Sequence, residues 1–185
     1  PGDWAAAAYV VNGGDTGNAL FYRTSKFDLV DTVTLNTNTG TGATEAPRDN
    51  QRWRVRLKNY TGAGAELYVY AGHFKAQGSG SEPRRLTEAQ RIRTDTATLP
   101  VGAHFLLGGD FNSQSATESH QVALLAAGTG QLIDPINSPG TWNNTASWRF
   151  IHTQDPAGSG GVDDRHDQIL ISATLRDAEG FSYLP

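Results

Sequence analysis

Three places in the sequence put titratable or amide side chains where packing alone does not ask for them. Gly72-His73-Phe74-Lys75 sets a histidine at the exit of an apolar run that begins at Glu66. Gly109-Asp110-Phe111-Asn112 sets a carboxylate and an amide directly after another apolar run that begins at His104, and Asp163-Asp164-Arg165-His166-Asp167 leads into a last one ending at Ser172. Imidazoles and carboxylates are the groups that most often move protons in catalysis, provided they sit within hydrogen-bond reach of the reacting atom. Each place also has an ordinary structural reading: a strand-end histidine is commonly a hydrogen-bonded loop residue, and an aspartate ahead of a helix is commonly a cap. The glycines before His73 and Asp110 favour function, because glycine beside a polar residue at a strand end permits close backbone approach to a ligand.

The elements that must position these residues follow from periodicity. Tyr9-Val10-Val11 and Ala19-Leu20-Phe21-Tyr22 flank the turn formers Asn12 to Gly17, which predicts a hairpin. Leu29 to Leu35 alternates apolar and polar residues as a half-buried strand does, and Asn36–Asn50 reads as a Thr/Gly/Asn-rich loop. In the next strand Trp53, Val55 and Leu57 face one way and Arg54, Arg56 and Lys58 the other, a solvated cationic row with phosphate contact as the alternative. Glu66 to Phe74 predicts a strand buried on both faces. Ser81 to about Leu99 predicts an amphipathic helix with Ser81 as N-cap, Pro83 in the first turn, and Arg84, Arg85, Arg91 and Arg93 on its wet side. Ser115-Ala116-Thr117-Glu118 fits a capping box that opens a second helix stopping at Gly128. A long connection from Asp134 to Pro156 precedes the final strand, Asp167 to Ser172. Single strands separated by two helices imply an α/β or α+β sandwich, with helices covering a mixed sheet, in one domain over residues 1–185.

Composition removes several classes of function. The 185 residues contain no cysteine, which excludes disulfide scaffolds, thiolate zinc sites and thiol catalysis. Lys and Arg number 15 against 19 Asp and Glu, for a net charge of −4, so nothing advertises a nucleic-acid coat or an anionic membrane surface. The apolar runs are far shorter than the roughly 18 residues of a membrane span. The sequence has no methionine, opens at Pro1-Gly2-Asp3 and ends at Tyr183-Leu184-Pro185, and is expected to be an internal portion of a longer polypeptide.

The chemistry-bearing segments recur in a meaningful order: a strand ending in histidine (VYAGHFKA), GDFN at Gly109 to Asn112, and D-x-I-L at Asp167 to Leu170. Asn18 to Arg23 (NALFYR), the helix from Ser81, and His152-Thr153-Gln154 followed by Asp163-Asp164-Arg165 extend the pattern from Ala8 to Ser172. This ordered set resembles the endonuclease/exonuclease/phosphatase superfamily, the fold of pancreatic deoxyribonuclease, and the His152 to Arg165 portion is similar to its bacterial secreted-type members. The resemblance implies a four-layered α/β sandwich of mixed, largely antiparallel sheets flanked by helices, incomplete at both ends in this chain. It also implies divalent-metal-dependent hydrolysis of a phosphoester, by a phosphodiesterase or nuclease using Mg²⁺ or Mn²⁺.

Carried over residue by residue, the resemblance implies that Asp110 orients or deprotonates the attacking water and contributes to the metal site. Asn112 holds that water or a phosphoryl oxygen, His73 donates a hydrogen bond to the phosphoryl group, Asp167 orients a second histidine, and Asn18 lines the cleft. The sequence departs from the pattern in two ways: the metal-binding glutamate of the family's early strand and the final S-D-H segment both lie outside it. His166 does not replace the missing histidine, because strand neighbours point to opposite faces. Two readings follow, the central portion of a catalytic domain or a non-catalytic binding or structural module that keeps the fold and a partial site. Missing terminal strands would leave exposed edges, so the parent chain or a neighbouring subunit is expected to supply covering segments. Substrate choice is expected to lie in Asn36–Asn50 and Ser138–Ser147. The Thr/Asn/Gly-rich composition and the sequons at Asn59 and Asn143 suit an extracellular or envelope protein of a bacterium.

Overall fold

A computed structural model of the protein describes residues 2–10, 17–35, 48–154 and 162–184. The first strands, β1 (Trp4–Ala6) and β2 (Phe21–Arg23), pair antiparallel in a two-stranded ribbon. The expected antiparallel pairing is present, but its first strand is Trp4–Ala6, and Tyr9 and Val10 lie outside it. The segment 11–16, where the turn formers lie, falls outside the described residues. Asp3 accounts for the shift: its carboxylate pairs with Arg23 and accepts a hydrogen bond from Ser25, while Arg23 lies over the Trp4 ring.

Five further strands form one sheet in the order β3 (Phe27–Thr34), β4 (Gln51–Leu57), β5 (Glu66–His73), β6 (His104–Asp110) and β7 (Asp167–Ile171). All neighbours are antiparallel except β5 and β6, which run parallel. A parallel pair needs a crossover, and α1 (Ser81–Thr96) supplies it. The second helix, α2 (Ser119–Leu125), packs on α1. Both helices cover one face of the sheet through a core of Tyr68, Tyr70, Phe74, Ala89, Ile92, Phe105, Leu107, Phe111, Leu124 and Leu170. The architecture is thus an α/β sandwich with a mixed sheet, as expected. Of the four expected layers, the described residues supply the helical layer, the main sheet and the two-stranded piece. Among them no helix is long and apolar enough to cross a membrane.

Several local expectations change. Gly80, in the left-handed region at φ 72°, is the N-cap of α1, and Ser81 is the first helical residue. Glu118 itself takes the N-cap position of α2, and its carboxylate accepts from Gln114 N at 2.6 Å in place of a capping box. Arg85 is buried, not wet, because Glu118 pairs with it at 2.8 Å. Strand β5 buries Tyr68 and Tyr70 against the helices, whereas Leu67, Val69 and Ala71 on its other face are half-exposed. The cationic row of β4 is neutralised along its length: Arg54 meets Asp31 at 2.8 Å, Arg56 meets Glu66 at 3.6 Å, and Lys58 meets Asp28 at 3.3 Å. That face is a lattice of partly exposed ion pairs rather than a phosphate platform.

The face of β5 to β7 turned away from the helices is largely apolar and open. It carries a cavity of about 740 Å³ whose lining includes Leu67, Leu106, Ile136, Ile151, Ile169 and Phe181 together with Thr153 and Asp167. Ile169 is 60% exposed there.

Candidate active site

Strand register brings together three of the residues singled out from the sequence. His73 at the end of β5 lies opposite Asp110 at the end of β6, and Asp110 lies opposite Asp167 at the start of β7. The three form one row across adjacent strands on the face away from the helices. Each of the first two is followed by a phenylalanine that turns the other way. Phe74 and Phe111 are fully buried and stack with ring centroids 5.1 Å apart. Phe74 N donates to Asp110 O at 2.9 Å and Phe111 N to His166 O at 2.8 Å, so the ladder continues past the site and fixes its residues outward.

The paired glycines make room for neighbouring groups. Gly109 has φ +149°, and a Cβ there would stand 1.9 Å from the carbonyl oxygen of Gly72. A Cβ on Gly72 would stand 2.6 Å from Asn50 Oδ1 and 2.9 Å from the Phe74 ring. The missing side chain of Gly109 allows β5 and β6 to approach this closely just ahead of His73 and Asp110, and that of Gly72 leaves room for Asn50 and the Phe74 ring.

Asp110 uses both carboxylate oxygens. Oδ1 accepts from Asn112 N at 2.8 Å, a tight Asx turn that holds Asn112 at φ 50°. Oδ2 accepts from Gln154 Nε2 at 3.0 Å and lies 3.8 Å from His73 Nε2. The same Gln154 nitrogen donates to Asp167 Oδ2 at 2.8 Å. Asn112 is buried, and its Nδ2 donates to Phe74 O at 3.1 Å, tying the turn after β6 to the exit of β5. Asp167 N donates to Thr153 Oγ1 at 2.9 Å. His166 turns away from the row, with Nε2 3.5 Å from buried Asp164, whose carboxyl is pushed up by burial. Asn18 bonds elsewhere: its Nδ2 donates to Asp49 O at 3.0 Å, one residue before the Asn50 that faces Gly72.

A buried polar layer behind the row clamps the segments that leave the two strands. Glu88 of α1 accepts from Lys75 N at 2.9 Å, and Arg85 donates to Lys75 O at 3.3 Å. Ser113 Oγ pairs with His120 Nε2 of α2 at 2.7 Å and accepts from Gln121 Nε2 at 2.7 Å. Burial pushes the Glu88 carboxyl up to about 7 despite its bond from Lys75. Burial, with the Arg85 charge second, pushes His120 down to about 3. Sequence reasoning named neither these residues nor Gln154 as part of the site. The one signal for Gln154 was its place in His152-Thr153-Gln154.

No protein-family model and no curated protein matches the sequence. Solved structures do. An endonuclease/exonuclease/phosphatase family protein from Bacteroides thetaiotaomicron superposes with a TM-score of 0.61 at 22% identity, over 92% of this chain and 61% of that one. Human Nocturnin, whose catalytic domain was solved with a bound sulfate anion, gives 0.60 at 16% identity over 92% and 61%. A mannosyl-6-phosphatase from Bacteroides thetaiotaomicron gives 0.57 at 20% over 92% and 63%. The protein therefore has the endonuclease/exonuclease/phosphatase fold, and it spans about three fifths of the length of the solved structures it matches.

Proposed function

We propose that this chain carries the central half of a phosphoester hydrolase site, and the observation that supports the reading best is the single row His73, Asp110, Asp167 across β5, β6 and β7. Asp110 is held from both sides and is the group to orient and deprotonate an attacking water. His73, partly exposed beside it, donates a hydrogen bond to the phosphoryl oxygen on which charge grows. Asn112 keeps the turn closed through Phe74 O and so keeps Asp110 in its rotamer. Asp167 holds the far side of the row. Among the described residues no three His, Cys, Asp or Glu side chains are placed to hold a metal ion, but Mg²⁺ is ordinarily bound by one or two carboxylates plus phosphate and water. Asp110 and Asp167, joined through one amide nitrogen, fit that demand and are the residues that would hold Mg²⁺ or Mn²⁺. The chemistry such an ion supplies when bound is neutralisation of charge on the phosphoryl oxygens.

The substrate class is a phosphodiester or phosphomonoester, and the neighbours' range, which includes a mannosyl-6-phosphatase, favours neither. The test is hydrolysis of bis-p-nitrophenyl phosphate, p-nitrophenyl phosphate and plasmid DNA with Mg²⁺ or Mn²⁺, in the wild type and in Asp110→Ala. The chain and, where its reading frame continues, the longer polypeptide are compared. Turnover that disappears in Asp110→Ala supports the reading. A second reading is a binding module that keeps the fold without turnover. It predicts an intact fold with no hydrolysis in either polypeptide.

A further inference from the structure

His73 and Asp110 leave their parallel strands side by side, and two ties hold the segments that follow them together. The nearer tie is direct: Asn112 Nδ2 donates to Phe74 O at 3.1 Å. The farther one runs through the buried guanidinium of Arg85. One of its terminal nitrogens donates to Lys75 O at 3.3 Å, and the other donates to Glu118 Oε1 at 2.8 Å. Glu118 Oε2 accepts in turn from Gln114 N at 2.6 Å. A single side chain thus reaches the second residue past His73 and, through one carboxylate, the fourth residue past Asp110. One hydrogen bond would let the two exits pivot about it, and a second at a different place fixes their angle. Asp110 is bonded into the ring that the two ties close, because its Oδ1 accepts from Asn112 N at 2.8 Å. The last rung between the strand ends, from Phe74 N to Asp110 O at 2.9 Å, lies in the same ring. The bridge is specific to arginine: a planar fork holds two nitrogens at a fixed separation against two acceptors, where lysine offers one ammonium as a point charge.

We propose that Arg85, acting through Glu118, is a positioning residue of the site, a buried strut that sets the exit of β5 against the exit of β6 and so fixes His73 relative to Asp110. This rests on the hydrolase reading of the row. The experiment compares wild type, Arg85→Met and the double variant Arg85→Met/Glu118→Gln. The single variant leaves a carboxylate without its buried partner and loses stability for that reason alone. The double variant removes both charges, keeps an amide oxygen to accept from Gln114 N, and recovers most of the Tm. Backbone amide hydrogen exchange, followed by nuclear magnetic resonance, reads the strut without any need of turnover. In the double variant the Phe74 amide exchanges at least about tenfold faster, while amides in the middle of β6 keep their wild-type rates. In the polypeptide that hydrolyses bis-p-nitrophenyl phosphate, kcat falls about 10- to 100-fold in both variants and KM stays within about twofold, because a small misplacement of a catalytic group costs up to about 10²-fold. A merely structural role would return kcat together with Tm in the double variant. Wild-type exchange at Phe74 in the double variant, or a kcat that recovers with Tm, overturns the proposal while hydrolysis that depends on Asp110 leaves the hydrolase reading intact. If wild type hydrolyses nothing, or no better than Asp110→Ala, the hydrolase reading fails and takes the positioning role with it, whatever the exchange at Phe74 shows of the strut.

Discussion

Two adjacent glycines in β6 should respond to the same substitution in opposite ways. At Gly109 an alanine Cβ would stand 1.9 Å from Gly72 O on a backbone at φ +149°. The strained conformation alone costs about 1–3 kcal/mol. The clash is with backbone, which cannot rotate aside, so relief requires β5 and β6 to separate just where His73 meets Asp110. Strain and ladder disruption together should reach at least about 3 kcal/mol, a fall in Tm of roughly 6–12 °C for a chain of this size. At Gly108 an added methyl meets only Ile169 Cγ1 at 3.9 Å, an ordinary van der Waals contact. Alanine in a strand is favoured over glycine by roughly 0.5–1 kcal/mol, so Gly108→Ala should hold or raise the Tm by about 1–3 °C. Far-UV circular dichroism melts of the two variants decide the matter. A Gly109→Ala protein within a degree of wild type, or a Gly108→Ala protein as damaged as Gly109→Ala, would refute the close-approach argument.

The buried layer behind the row makes stability depend on pH in two opposing ways. Glu88 rises from 4.5 to about 7 on folding, so the folded state holds its proton longer, and this contribution to stability declines between pH 4.5 and 7 by about 3 kcal/mol. His120 falls from 6.5 to about 3, so the unfolded state takes up a proton first, and stability is lost as pH drops from 6.5 to 3. The slopes nearly cancel between pH 4.5 and 6.5. Urea unfolding across that window should therefore be flat for wild type, rise with pH for Glu88→Gln and fall with pH for His120→Asn; parallel profiles would contradict the assignments. The open apolar face should make the isolated chain self-associate in light scattering and bind a dye such as ANS, with Ile169→Lys reducing both, because contiguous apolar patches of this kind are seldom left bare. A monodisperse, dye-silent wild type would count against it.

His73, Asp110, Asn112 and Asp167 were legible because each follows or opens an apolar run whose alternation fixes a strand, so a polar residue at its end stands out. Their common row was not legible, since it depends on β5 and β6 being parallel neighbours and on β7 joining β6 in antiparallel register. The buried Arg85 and Glu88 were hidden for a related reason. Helical periodicity assigns charges to the wet side, and their partners, Glu118 and the backbone of Lys75, reach them only through tertiary contact. Tyr9-Val10-Val11 drew the first strand away from Trp4–Ala6 because branched and aromatic residues carry the stronger strand signal, while the pairing is fixed by the contacts of Asp3 and Arg23. Gln154 lies in a connection with no periodicity at all. Its place beside the row is geometric, two carboxylates within reach of one nitrogen, and no sequence pattern encodes that.

The most direct test of the central claim is a double-mutant cycle on kcat/KM for a phosphodiester, using His73→Gln, Asp110→Asn and the double variant in the polypeptide that shows turnover. If the row works as one unit, each single change removes roughly 10²–10⁴ of the rate, and the double variant is little worse than the more damaged single. Full activity in either single variant, or losses that multiply in the double, would contradict it.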